Sequence, residues 1–184
     1  DLLEAATHLV KIIREVKPQV LVTYDDFGGY GHPDHIKAHR VAMYATSLAQ
    51  APTFKPELGD AWSITKIYWT AFPKSIMIAA AEMMKAAGDE SEFTAEDPED
   101  MNWVCPDEWV TTTIDAPQYL PNKFAAMKAH ATQINTEEGF FALSNNIGSE
   151  VMGAEYFRIA QGTVSGPFDD FGRETDLFAG IADV

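Results

Sequence analysis

His32, Asp34 and His35 fall within four residues of one another, in the stretch Gly28-Gly29-Tyr30-Gly31-His32-Pro33-Asp34-His35. Three of the chain's five histidines lie between positions 32 and 39. Imidazoles and a carboxylate at this spacing are groups that bind a divalent cation or move a proton near neutral pH. His35 and His39 are one helical turn apart, as in the HExxH arrangement. That arrangement needs a glutamate directly after the first histidine, and Ile36 stands there, so the zincin reading fails. The remaining possibility is a site to which this stretch supplies only some of the ligands. Zinc hydrolases use three protein ligands from His and Asp/Glu and leave the fourth position to water. His35 or His32 would be one ligand, with Asp34 orienting it. No second His-rich cluster lies downstream, because His8 sits in an early helical segment and His130 in a late one.

The elements that must position these groups are legible on either side. The glycines let the backbone take positive φ, and Pro33 suits the first turn of a helix. Upstream, Val20-Leu21-Val22-Thr23-Tyr24 is a short apolar run, expected as a parallel strand buried on both faces. Before it, residues 2–17 form an expected helix. Leu2, Leu3, Ala6, Leu9, Val10, Ile13 and Val16 recur at helical spacing, with Glu4, Lys11, Arg14 and Glu15 elsewhere on the wheel and Pro18 as the stop. Downstream, a helix runs from about Pro33 to Ala49 with Ala38, Val41, Ala45 and Leu48 on one face. The α-β-α order puts the turn at the carboxyl end of a strand, where open α/β sheets hold their chemistry.

The fold class is therefore α/β. Residues 1–50 are expected to be the C-terminal part of a Rossmann-like parallel-sheet domain, and residues 51–184 a smaller mixed α/β region completing the active-site cleft. The second part has an expected loop over 51–60, a strand over Ser63–Phe72 and a helix over 74–87 with Ile76, Ala80, Met83 and Met84 inward. Asp89 to Glu108 carries nine carboxylates and no Lys or Arg. Its spacing does not match an EF-hand, so a solvated loop is expected. Beyond it come a strand over Trp109–Ile114, a helix over 117–132 striped by Leu120, Phe124, Met127 and Ala131, and a strand over 156–160.

Composition excludes several functions. At 184 residues and 46% hydrophobic, the chain can bury a core. Thirteen basic against 28 acidic residues, net charge −15, exclude phosphate-backbone binding and attraction to an anionic membrane surface. No apolar run reaches 18 residues, so no segment spans a bilayer as a helix. The one cysteine, Cys105, cannot form an internal disulfide, which fits the cytoplasm. Its acidic neighbours Asp107 and Glu108 raise a thiol pKa, so an ordinary thiol is expected. The chain opens at Asp1, inside a helical pattern, and the remaining strands of the sheet are expected upstream.

Tyr24-Asp25 followed by Gly28-Gly29-Tyr30-Gly31-His32-Pro33-Asp34-His35 resembles the second motif of PIG-L/LmbE-like zinc-dependent N-deacetylases. Lys66–Thr70, Ala129–Gln133, Ala142–Asn146 and Glu174–Gly180 extend the likeness, in order, over nearly the whole chain. They look like the branch of that family that removes acetyl from an N-acetylglucosamine linked to inositol, in actinobacterial mycothiol biosynthesis. The rival branch cleaves mycothiol conjugates, and a non-catalytic fragment is the reading from another class. The resemblance implies one zinc ion, with iron as its substitute, and a small amino-sugar inositol substrate rather than nucleic acid or membrane. It implies that His35 is a zinc ligand, that His32 is general acid and stabiliser of the tetrahedral intermediate, and that Asp34 orients the active-site histidine. Tyr30 matches a mobile tyrosine that polarises the amide carbonyl, and Gln133 a glutamine near it that binds substrate. The family's first motif, an Ala-His-Pro-Asp-Asp-Glu-type segment with two further ligands and the general-base aspartate, does not occur in these 184 residues. The expectation is a chain that carries part of the site and is inactive alone.

Overall fold

The computed structural model describes residues 1–86, 88, 100–135 and 151–182. Helix α1 (Leu2–Val16) starts at Asp1, whose carboxylate accepts the Leu3 N–H, and ends at Lys17, which turns left-handed at φ 51°. Strand β1 (Val20–Thr23) leads to a one-turn helix α2 (Gly28–Gly31) and then to α3 (Pro33–Ala49). Strand β2 (Lys66–Thr70) and helix α4 (Lys74–Ala86) come next, then β3 (Thr112–Asp115), α5 (Leu120–Ala129) and β4 (Ala154–Gln161). The acidic segment up to residue 99 and the Ser144-Asn145-Asn146 stretch lie outside the described residues.

The sheet is mixed, with strand order β1-β2-β4-β3. Only β1 and β2 run parallel; β4 is antiparallel to both β2 and β3. One sheet thus joins the first fifty residues to the rest of the chain. The expectation that β1 is buried on both faces is overturned. It is one of the two edge strands among the described residues, none of its four residues is buried, and Val22 is 45% exposed. An apolar run alone does not distinguish a central strand from an edge strand that lacks a neighbour.

The core sits between the sheet and the α1/α3 pair. Ala6, Val10 and Ile13 of α1 meet Ala45 and Ala49 of α3 over Ile64 and Ile67. Burying Val10 and Ile13 contributes about 1.5–3 kcal/mol each, and the alanines let the helix axes come close. Arg14, expected on the polar side of α1, is 2% exposed. Its guanidinium donates to the carbonyls of Ala49 (3.1 Å), Leu48 (3.3 Å) and Ala51 (2.8 Å), and to Lys55 (3.0 Å) and Gly59 (3.2 Å). It closes the carbonyl end of α3, where a cation is favoured, and so fixes the helix that begins at His32.

Other boundaries shift. Trp109 belongs to a 3-10 turn (Asp107–Trp109), not to β3, and α5 stops at Ala129 with no buried residue, leaving Ala131 exposed. In α4 the buried face is Met77, Ala80, Ala81 and Met84, while Met83 is 41% exposed. The end of the acidic stretch is packed rather than solvated: Met101 is buried, the Cys105 N–H donates to Phe72 O (2.9 Å), and the Lys74 N–H donates to Cys105 O (3.0 Å). Apolar and backbone groups there outweigh the charge pattern.

Candidate active site

The chain leaves β1 at Thr23 and must reverse into α3 within ten residues. Gly28, Gly29 and Gly31 take φ of 73°, 76° and 87°. At Gly28 a Cβ would stand 2.6 Å from the Ile36 nitrogen and 2.9 Å from that side chain, so only glycine fits. Asp25 pins the turn: its carbonyl accepts the Gly28 N–H (3.0 Å) and its carboxylate the Gly29 N–H (2.8 Å). A structural turn role of this kind suits an aspartate placed just after a strand.

Four aromatic rings gather on this turn. Tyr24 stacks on His35 at 4.1 Å with planes 7° apart, and Tyr30 meets His35 edge-on at 5.0 Å. His32 lies 5.2 Å from His35 and 6.1 Å from Tyr30. The two histidines face opposite backbone partners. His35 Nδ1 sits 3.1 Å from the Gly28 carbonyl, an acceptor only, so Nδ1 carries the proton and Nε2 a lone pair. His32 Nδ1 accepts the Asp34 backbone N–H at 3.2 Å, as N-cap of α3, so the proton of neutral His32 is on Nε2. One turn therefore presents a bare imidazole nitrogen and an imidazole N–H within one ring's distance. A doubly protonated His32 has no lone pair at Nδ1 and would release the Asp34 N–H.

Asp34 is exposed and meets His32 through its backbone, not its carboxylate. Tyr30 is 57% exposed. Gln133 lies on an exposed turn after α5, its N–H on the His130 carbonyl (2.9 Å), and no described contact joins it to Tyr30. His130, expected among core positions, is exposed. His39, expected as a surface or packing histidine, does more. Its Nδ1 bonds to the Tyr24 carbonyl at 2.9 Å and its ring packs edge-on against Trp69 at 5.2 Å. His39 and Tyr24 therefore buttress His35 from behind. The i, i+4 spacing of His35 and His39 carries that signal, as a brace rather than as a shared ion site.

A metal ligand commonly donates its second ring nitrogen to a carbonyl, which fixes the tautomer and aims the lone pair outward. His35 meets that test through Gly28. Among the described residues no three His, Cys, Asp or Glu groups converge to hold an ion, so His35 fits as one ligand of a set. No described helix is long and apolar enough to cross a membrane. The Cys105 thiol is raised, as expected, but burial is the largest cause. Asp107 and Asp25 add to it, and the positive charge of Arg158 opposes it.

Residues 1–46 match the family model described as PIG-L, GlcNAc-PI de-N-acetylase. The chain is 54% identical over 182 residues to 1D-myo-inositol 2-acetamido-2-deoxy-alpha-D-glucopyranoside deacetylase 1 of Catenulispora acidiphila, covering 98% of this chain and 56% of that protein. It is 54% identical over 183 residues to the deacetylase of the same name from Nocardioides sp., covering 98% and 60%. The like-named protein of Streptomyces scabiei is 46% identical over 185 residues, covering 98% and 56%. The chain thus spans a little over half the length of these curated relatives.

Proposed function

We propose that this chain, which belongs to the PIG-L family, forms part of an enzyme that hydrolyses the acetamide of an N-acetylglucosaminyl-inositol, as the names of its relatives state for them. The observation that carries the proposal is the paired-histidine turn, with a lone pair on His35 Nε2 and a proton on His32 Nε2, inside a chain 54% identical to such deacetylases over 98% of its length. His35 would hold one zinc ion through Nε2, with iron as the substitute metal. When bound, such an ion makes hydroxide available near neutral pH by lowering the pKa of its water to about 7.

The chain's own residues supply the rest. The Tyr30 hydroxyl donates to the amide carbonyl and polarises it. The His32 Nε2–H donates to the oxyanion as the carbonyl becomes tetrahedral. For the nitrogen to leave as an amine it must gain a proton; a doubly protonated His32 gives one from Nε2 and returns to the neutral tautomer whose Nδ1 accepts the Asp34 N–H. Asp34 keeps His32 in register through the N-cap bond of its backbone N–H. Gln133 is assigned to substrate contact near Tyr30. The further ligands and the general base belong to a segment outside these 184 residues.

In the full-length protein, His35→Ala should lose zinc by elemental analysis. His32→Ala should keep zinc and lose on the order of 10²–10³ in acetate release, the usual effect of removing one oxyanion donor. Zinc unchanged in His35→Ala would overturn the ligand assignment. Zinc and rate both lost in His32→Ala would exchange the two roles.

A further inference from the structure

Thr23, Trp69 and Arg158 form one row across the sheet, since Thr23 pairs with Trp69 and Trp69 with Arg158. The row begins where β1 enters the catalytic turn. It ends two strand spacings away, about 10 Å. The Arg158 guanidinium lies over the ring of Trp69 at 4.8 Å and over that of Trp109 at 5.0 Å. Two indoles hold a long side chain in one place, since the cation is attracted to both ring faces. Trp69 in turn packs against His39, which holds the Tyr24 carbonyl under the ring stacked on His35. The arginine and His35 are thus joined through one chain of packed rings.

Arginine carries five N–H donors in a planar fork. Among the described residues none of those on Arg158 has an acceptor, although the side chain is half-buried. Half-buried donors held rigid and left unspent are unusual unless something outside the chain accepts from them. Arg158 and Asp25, from the turn after β1, both lie near enough to Cys105 for their charges to act on its thiol, in opposite directions. Trp109 is 50% exposed beside it, the kind of aromatic wall that suits the C–H faces of a ring polyol.

We propose that Arg158 is a specificity-determining residue that donates its N–H fork to hydroxyl oxygens of the inositol ring while the acetamide sits at His32 and Tyr30. The inference rests on the proposed deacetylase function and adds where the second ring of the substrate lies. Vicinal ring hydroxyls offer two acceptor oxygens side by side, which a planar fork meets with two parallel bonds. A lone ammonium cannot.

The test is steady-state acetate release by the full-length protein on two substrates, N-acetylglucosaminyl-inositol and N-acetylglucosamine alone. Arg158→Met should raise KM for the first about tenfold or more, the usual effect of losing hydrogen bonds from a charged donor. It should leave kcat for the first and kcat/KM for the second within about twofold, the pattern of lost uniform binding. Arg158→Lys keeps a cation over the rings and guards against a folding artefact; it should show the same raised KM. Equal losses on both substrates, or a KM that ignores both substitutions, would overturn the assignment. So would a fall in melting temperature with KM unchanged, the mark of an arginine whose donors serve another protein segment. A wild-type protein inert on both acetamides would overturn the functional reading and this one with it. A wild-type protein active on the inositol conjugate but insensitive to Arg158 would overturn this one alone.

Discussion

Which ring nitrogen of His32 and of His35 carries the proton is set by backbone atoms. Gly28 O takes the proton of His35, and Asp34 N–H takes the lone pair of His32. Both partners depend on the conformation of residues 28–34, and that conformation depends on glycine. Gly28→Ala should therefore do two things. It forces a Cβ to within 2.6 Å of the Ile36 nitrogen at a φ of 73°, costing about 1–3 kcal/mol, or about 2–4 °C in melting temperature per kcal/mol for a chain of this size. It also displaces the Gly28 carbonyl that orients His35, so acetate release by the full-length protein should fall further than stability alone explains. A thermal scan beside a rate measurement separates the two effects. An unchanged rate with a lowered melting temperature would show that the carbonyl does not set the tautomer. The residue types at this turn are open to view in the sequence. Which nitrogen of each histidine is bare is not, because that depends on φ and ψ and not on residue order.

At the scale of elements, the sheet is tied to the C-terminal segment by one buried carboxylate. Glu174 is 0% exposed, and it accepts from Lys66 Nζ, Tyr68 OH, Thr112 Oγ1 (3.0 Å) and the Ser165 N–H (3.0 Å). It thus joins β2, β3 and the loop after β4. Burial alone would raise this carboxyl, but the donors from Lys66, Tyr68, Ser165 and Thr112 outweigh burial and hold it below its ordinary value of 4.5. The phenol of Tyr68 moves the other way, raised above its ordinary 10.0 by burial first and by its bond to Glu174 second. A lowered carboxyl stabilises the fold above its unfolded value, and that contribution is lost as pH falls through the folded value. A raised phenol stabilises below its unfolded value and loses that contribution as pH rises beyond it. Stability should thus decline on both sides, below about pH 4.5 and above about pH 10. Glu174→Gln leaves Lys66 buried without its counter-charge and should cost about 3–5 kcal/mol at neutral pH. It should also flatten the acid limb, as measured by denaturant unfolding from acid to neutral pH. An acid limb unchanged in Glu174→Gln would assign it to other carboxylates. Nothing in the local sequence marks Glu174 as buried; its three side-chain partners lie 62, 106 and 108 residues away.

The whole molecule is built on a four-stranded mixed sheet whose β1 edge is open among the described residues, and α1 exposes Ile12 (53%) and Val16 (66%). An edge of this kind is a template for a further strand. The chain spans 56% to 61% of the first curated relatives it matches. The 184-residue chain purified alone should accordingly fail to hold zinc stoichiometrically and should release no acetate from N-acetylglucosaminyl-inositol. Stoichiometric zinc by elemental analysis, or metal-dependent acetate release, would mean that the described histidines suffice. The sequence by itself determined the turn, its family, and the helices that flank it, because glycine, proline and capping preferences and the 3.6-residue apolar repeat act over a few neighbouring residues. It determined the order of elements, but not the mixed sheet, since strand direction is chosen by partners far along the chain. The tertiary structure alone decided that β1 lies at an edge, that Arg14 clamps the end of α3, that His39 braces His35, and that Arg158 shares a row with Thr23 and Trp69. Each of those is a contact between residues that only folding brings together. The glycine-histidine stretch therefore fixed which groups stand at the turn, and the fold of the backbone around it fixed which ring nitrogen of each histidine carries the proton.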